Sequence, residues 1–84
     1  MKVQVFDTHV HTRDGRYLHF DVLTEADDSN QAGQLAHVWL AEQGLLDADI
    51  VQSQCQFCHG TPATPAIANA IAAQGYCIIP LQGC

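Results

Sequence analysis

Basic residues are scarce in this chain, and their scarcity excludes several classes of partner. The 84 residues include three Lys or Arg against nine Asp or Glu, which gives a formal net charge of −6. Lys2, Arg13 and Arg16 form no stripe that neutralises several phosphates, so we expect no nucleic-acid partner. The same negative balance argues against binding to an anionic membrane surface.

Long hydrophobic runs are also missing. The N-terminal segment MKVQVFDTHV alternates between apolar and polar residues and does not have the pattern of a signal peptide. No stretch approaches the roughly 20 apolar residues that a membrane-spanning helix needs. We therefore expect a cytoplasmic protein with no membrane partner, whose four cysteines stay mostly reduced.

Methionine occurs once, as Met1. This matters for the segment CQFCHG at residues 55–60, because Cys-x-x-Cys-His is typical of covalent haem attachment. Such attachment takes place outside the cytosol, and the chain has no further methionine to serve as an axial haem ligand. We therefore set a haem protein aside.

The first part of the chain predicts a β-hairpin. Residues 3–12 and 16–24 are rich in strand formers, and Arg13-Asp14-Gly15 lies between them as a turn. A two-residue turn at Asp14-Gly15 would place Phe20 opposite His9. A three-residue loop with a left-handed Gly15 gathers the apolar side chains on one face instead, so we prefer it. Its apolar-face pairs are Phe6–Val22, Thr8–Phe20 and Val10–Leu18.

The rest of the chain predicts two helices and two further strands. One helix begins after Asp27-Asp28-Ser29-Asn30 and ends at Gly44, and a second begins at Thr64-Pro65 and ends at Gly75. A short strand covers residues 49–54, and a last strand covers residues 76–79. The last strand is dense in β-formers, so we expect it to be central in the sheet.

This order of elements predicts an α+β fold in a single domain over residues 1–84. We expect a two-layer β-β-α-β-α-β domain, with a mixed four-stranded sheet and two helices on one face. Trp39, the only tryptophan, should anchor the core between helix and sheet.

The hairpin also brings histidines and aspartates together. The segment FDTHVHT resembles the start of metal-dependent amidohydrolases, but their barrel of about 250 residues does not fit in this chain. The preferred register pairs His9 with His19 and Asp7 with Asp21, about 5 Å apart across the strands. These four residues are one candidate site for a divalent cation such as zinc. The alternative is a plain solvated face, on which imidazoles reduce the repulsion between two carboxylates.

A second candidate zinc site lies at the Cys-x-x-Cys-His segment, which we expect to form a loop after the short strand. Cys55 and Cys58 have the spacing of half a zinc knuckle. Cys84 is the best third ligand, and His59 or water would take the fourth position. Cys77 is less suited because its strand holds it in place. The open alternatives are a redox pair, a nucleophilic Cys-His enzyme or plain buried residues.

Three segments, VFDTHVHTRDGRYLHFDVL, QCQFCH and GYCIIPLQGC, together resemble a small bacterial family of domains of unknown function, number two thousand and twenty-four in that series. The resemblance covers essentially the whole chain. It implies a stand-alone cytosolic domain, and it transfers no catalytic residue.

From the residues we expect a small acidic cytoplasmic protein that acts as a non-catalytic binding or interaction domain. Its partner would be a protein or a small molecule, and a homodimer would add stability to so small a core. The alternative is a zinc- or thiol-dependent protein that uses the Cys-x-x-Cys-His segment. Zinc is the one cofactor that the residues suggest.

Overall fold

Four strands and two helices follow one another in the predicted order. In the computed structural model, which describes residues 2–82, a short 3-10 turn at Asp47–Asp49 precedes the third strand. The strands are β1 (Lys2–Thr12), β2 (Tyr17–Thr24), β3 (Ile50–Pro62) and β4 (Cys77–Gln82), and the helices are α1 (Ser29–Glu42) and α2 (Pro65–Gln74). The α+β class and the order β-β-α-β-α-β are thus confirmed.

The β1–β2 hairpin has the predicted register. The loop spans residues 13–15, and the Gly15 N–H donates a hydrogen bond to the Thr12 carbonyl at 3.2 Å. Gly15 has a φ of 86°, a left-handed conformation that glycine adopts without a steric penalty. Phe6 lies opposite Val22, as the three-residue loop requires. The predicted turn is therefore confirmed together with the register.

All pairings in the sheet are antiparallel, and the strand order is β3-β1-β2-β4. The expected mixed sheet is therefore wrong, and so is the central position that we expected for the last strand. The reason is that β1 already has β2 on one side and β3 on the other. β4 can therefore join the sheet only at the outer side of β2 or of β3, and either position is an edge. It pairs with β2.

The two helices pack on opposite faces of the sheet. Val5 and Phe6 are neighbours in β1 and point to opposite faces, yet both are buried. Phe6 packs in a larger core with Ala36 and Leu40 of α1, whereas Val5 packs in a smaller core with Ile71 of α2. The expectation of two helices on one face is therefore wrong, because β1 carries apolar side chains on both faces and each needs its own cover.

The helix ends follow the sequence signals. The Asp28 carboxylate accepts hydrogen bonds from the first-turn N–H groups of α1. The Thr64 hydroxyl accepts the Ile67 N–H at the start of α2, and Gly75 ends α2 with a φ of 89°. No helix within residues 2–82 is long and apolar enough to cross a membrane.

Trp39 is half-buried and packs against the larger core from its side. Its ring centroid lies 4.7 Å from that of Phe20, which is fully buried. The centre of this core is formed by Phe6 and Phe20, both 0% exposed. Trp39 therefore covers the core that we expected it to anchor.

We predict that Phe6→Ala lowers the free energy of unfolding by about 3–5 kcal/mol, because it removes a fully buried aromatic ring and leaves a cavity. Phe57 provides a matched control. Its ring lies edge-on to that of Phe6 with the ring centroids 5.8 Å apart, but Phe57 is 50% exposed. Phe57→Ala should cost less than half as much. Urea unfolding of both variants tests this, and equal losses would contradict it.

Candidate metal centre on the open face of the sheet

The polar side chains of the hairpin lie on one surface, which we call the open face and define by Asp7, His9, Tyr17, His19 and Asp21. His9 lies opposite His19, and Asp7 lies opposite Asp21, as predicted. Strand alternation places these residues on the same face as Val5, opposite to α1. α2 packs on the Val5 end of this face, and the polar residues lie beyond that contact.

Asp7 joins the two histidines. His9 Nε2–H donates to Asp7 Oδ2 at 3.0 Å, and His19 Nε2–H donates to Asp7 Oδ1. The two imidazole rings stack with centroids 4.3 Å apart and planes inclined by 12°. One donor atom from each of the three residues lies within 4.8 Å of the other two. Over residues 2–82, this is the one group of three His, Cys, Asp or Glu side chains close enough to share a metal ion.

Tyr17 fixes the orientation of one of these rings. Its hydroxyl forms a hydrogen bond with His9 Nδ1, which leaves Nε2 directed at Asp7. The sequence analysis missed this contact, because Tyr17 pairs directly with His11 in the register. The available signal was the diagonal position of Tyr17 relative to His9, from which a long aromatic side chain reaches across the strands.

Asp7 and Asp21, which the sequence analysis did not distinguish, have pKa values shifted in opposite directions. The hydrogen bond from His19 lowers the pKa of Asp7, against the opposing effect of burial and with further help from His9. Burial raises the pKa of Asp21, and the charge of the neighbouring Asp7 raises it further. His59 lies close enough for its charge to oppose this rise. Asp7 is thus the carboxylate of the three-residue group, and Asp21 lies beside that group.

We predict that Asp21→Asn stabilises the fold at pH 7 and leaves it unchanged near pH 3. An aspartate titrates at about 3.9 in the unfolded chain, whereas the pKa of Asp21 is raised by folding. The wild type therefore loses stability relative to the variant as pH rises, first through the pKa of Asp21 in the unfolded chain and then through its higher pKa in the folded protein.

Urea unfolding at pH 3 and pH 7 measures this difference. Asp27→Asn serves as the control, because Asp27 is an exposed acid in the β2–α1 connection. A stabilisation by Asp21→Asn that is equally large at pH 3 would contradict the raised pKa.

The segment CQFCHG does not form the expected loop, because it lies inside β3. Phe57 pairs with Phe6 and His59 pairs with Val5, which leaves Cys58 as the extra residue of a β-bulge. The loop prediction failed because β3 pairs along essentially the whole of β1 and not only along its first few residues.

The strand separates the residues that we expected to share zinc. Cys55 is half-buried and accepts a hydrogen bond from the Thr8 hydroxyl at 3.4 Å, and burial raises the pKa of its thiol. Cys58 is exposed, with its Sγ 3.2 Å from Nδ1 of His59. Strand residues three apart are about 10 Å apart, whereas two thiolates on one zinc lie within about 4 Å. Cys84 lies outside the described residues, so the four-ligand set stays a prediction.

The fold and the open face together define a class of protein: a small α+β domain with an antiparallel four-stranded sheet and an Asp-His-His group beside its second helix. The sequence matches, over residues 1–81, the model of a family described as "Domain of unknown function (DUF2024)". The chain belongs to this family, as the sequence resemblance implied.

A solved structure has the same architecture over the full length of the chain. It is the NMR structure of protein NE1680 from Nitrosomonas europaea, which is 36% identical and superposes with a TM-score of 0.85. The alignment covers 100% of the present chain and 99% of that one. The comparison with curated proteins gave no match.

Proposed function

We propose that this protein binds a divalent transition-metal ion through Asp7, His9 and His19, and that zinc suits this donor set best. The observation that carries the proposal is the convergence of one donor atom from each residue to within 4.8 Å. Imidazole and carboxylate ligands favour zinc and its first-row neighbours, whereas all-oxygen sites are typical of calcium and magnesium.

The spacing of the donors is close to what zinc requires. Donor atoms at about 2.0–2.1 Å from a tetrahedral ion lie about 3.4 Å apart. The His9–Asp7 contact of 3.0 Å is already near this value, and a spread of up to 4.8 Å closes with side-chain movement of about 1 Å. The three side chains are 25–37% exposed, so an ion reaches them without opening the core.

The surroundings of the group also favour a cation. With Nε2 of His9 on the ion, its Nδ1–H would donate to the Tyr17 hydroxyl, the type of outer contact that orients histidine ligands in metal sites. Asp21 places a second carboxylate beside Asp7, so two negative charges meet the two positive charges of the ion. Three protein ligands leave a tetrahedral position for water or for a donor from a bound molecule.

Without metal, the same atoms form a hydrogen-bonded network in which two imidazoles share the Asp7 carboxylate. Protons and the metal ion therefore compete for the histidine nitrogens. Metal affinity should fall on acidification, because an imidazole must lose a proton from the nitrogen that binds the ion.

We predict that Asp7→Asn weakens zinc binding by more than about 100-fold at pH 7.5, because loss of an outer-sphere partner alone typically costs about 10- to 100-fold. Tyr17→Phe should fall within that outer-sphere range. Isothermal titration calorimetry of the metal-free protein with Zn²⁺ measures each affinity. Circular dichroism checks that each variant is folded.

Two controls separate this site from the other zinc candidates. Asp21→Asn should reduce the affinity less than Asp7→Asn, since Asp21 is not one of the three converging ligands. Cys58→Ala should leave it unchanged, because Cys58 lies on the exposed bulge of β3. Zinc binding that is lost with Cys58 and retained without Asp7 would overturn the proposal.

A second candidate function is thiol chemistry at Cys58. The observation that favours it is the exposed Sγ of Cys58 at 3.2 Å from the His59 ring, within reach of a base or a cation. Cys55 and Cys77 are half-buried, and burial raises the pKa of both thiols.

We predict that iodoacetamide alkylates Cys58 before Cys55 and Cys77, because raised pKa values leave those two thiols with less reactive thiolate at neutral pH. His59→Ala should slow the reaction of Cys58 only. Peptide mapping by mass spectrometry over time measures all three rates. Equal rates at Cys55 and Cys58 would exclude this function.

The proposal also covers the location and the domain organisation of the protein. Its cysteines within the described chain, Cys55, Cys58 and Cys77, are free thiols, which suits a cytoplasmic location. Both helices pack on one sheet, which suits action as a single domain over residues 1–84. We further propose that the protein acts as a non-catalytic binding domain, as the sequence indicated.

A further inference from the structure

We infer that β3 is a dimerisation edge, along which the chain pairs antiparallel with β3 of a second copy of itself. Four strands from each copy would then form one continuous sheet of eight. This inference does not depend on the metal proposal. It uses the outer side of β3, whereas Asp7, His9 and His19 lie on β1 and β2.

β3 is a long edge strand with one side unpaired by the described residues. It has 13 residues and pairs with β1 on one side, as the first strand in the order β3-β1-β2-β4. On its outer side, alternate residues present N–H and C=O groups that form no sheet ladder. Such a row is a template for another strand.

The sequence of β3 lacks the charged residues and the internal proline that often protect an edge strand. Residues 50–62 contain no Asp, Glu, Lys or Arg, and their only proline is the last residue, Pro62. Regular pairing runs without a bulge from Gln52 to Phe57. The other edge differs, because β4 has six residues and carries Pro80 within it. Short length and proline are devices that block strand addition, and they protect β4 and not β3.

The lack of charge along β3 allows a second copy of this chain to approach. Each copy has a formal charge of −6, so two copies repel one another overall. All nine acids lie within residues 7–49, so β3 brings no acidic side chain of its own to an interface between two copies. An antiparallel pair of identical strands also satisfies the two-fold symmetry of most homodimers.

One register buries the exposed apolar residues of this edge. With Gln54 at the two-fold axis, Gln52 lies opposite Gln56 of the second copy, and Phe57 lies opposite its Val51, the extra residue of the bulge between Gln52 and Ile50. Phe57 is 50% exposed and Val51 is 63% exposed in the single chain. Apolar cross-strand pairs of this kind stabilise a sheet.

The test is the mass of the protein in solution. We predict that sedimentation equilibrium and native mass spectrometry give the mass of two chains for the wild type at about 10 μM, an ordinary concentration for specific homodimers. Gln54→Lys places two like charges at the axis and should raise the dimer dissociation constant by more than about tenfold. Gln34→Lys is the matched control, since it makes the same change on the exposed surface of α1, and it should leave the dimer intact.

Two further measurements keep the outcomes distinct. Gln54→Glu should also dissociate the dimer, which guards against a folding defect specific to lysine, and circular dichroism checks both variants. A chelator should leave the mass at two chains, so loss of metal binding would not affect this result. A wild type that stays a single chain at about 200 μM, or a dimer that survives both changes at Gln54, would overturn the inference.

Discussion

The register of the β1–β2 hairpin is the constraint on which the rest of the structure depends. The loop at residues 13–15 places Phe6 opposite Val22 on the α1 side and His9 opposite His19 on the other side. Because side chains alternate along a strand, a shift by one residue would move the apolar set into solvent and the imidazoles into the core. The energy of the larger core therefore also fixes the geometry of the open face.

The group of Asp7, His9 and His19 shows how two strands create a site that neither strand contains alone. Asp7 and His9 lie two residues apart on β1, and His19 faces them from β2. The pleated backbone holds the two rings stacked at 4.3 Å, so their nitrogens reach one carboxylate together. Such a preformed arrangement would lower the conformational entropy lost on binding the proposed ion. The same proximity would make protons competitors of that ion.

Local signals in the sequence were sufficient for much of the fold. The hairpin loop, the N-caps at Asp28 and Thr64 and the terminating Gly75 all depend on contacts within a few residues. The pairing of His9 with His19 followed from the same local reasoning, since loop length sets hairpin register. The Asp-His-His group was accessible from the sequence for that reason.

The remaining features depend on contacts between distant parts of the chain. The sequence by itself determined the order of elements, the helix ends and the pairs of the hairpin, because these depend on neighbouring residues. Only the tertiary structure decided that β3 extends through Cys55 and Cys58, since its length depends on pairing with β1. It also decided that α2 packs on the face opposite α1 and that β4 is an edge, because both depend on which apolar surfaces and strand edges the other elements have left uncovered.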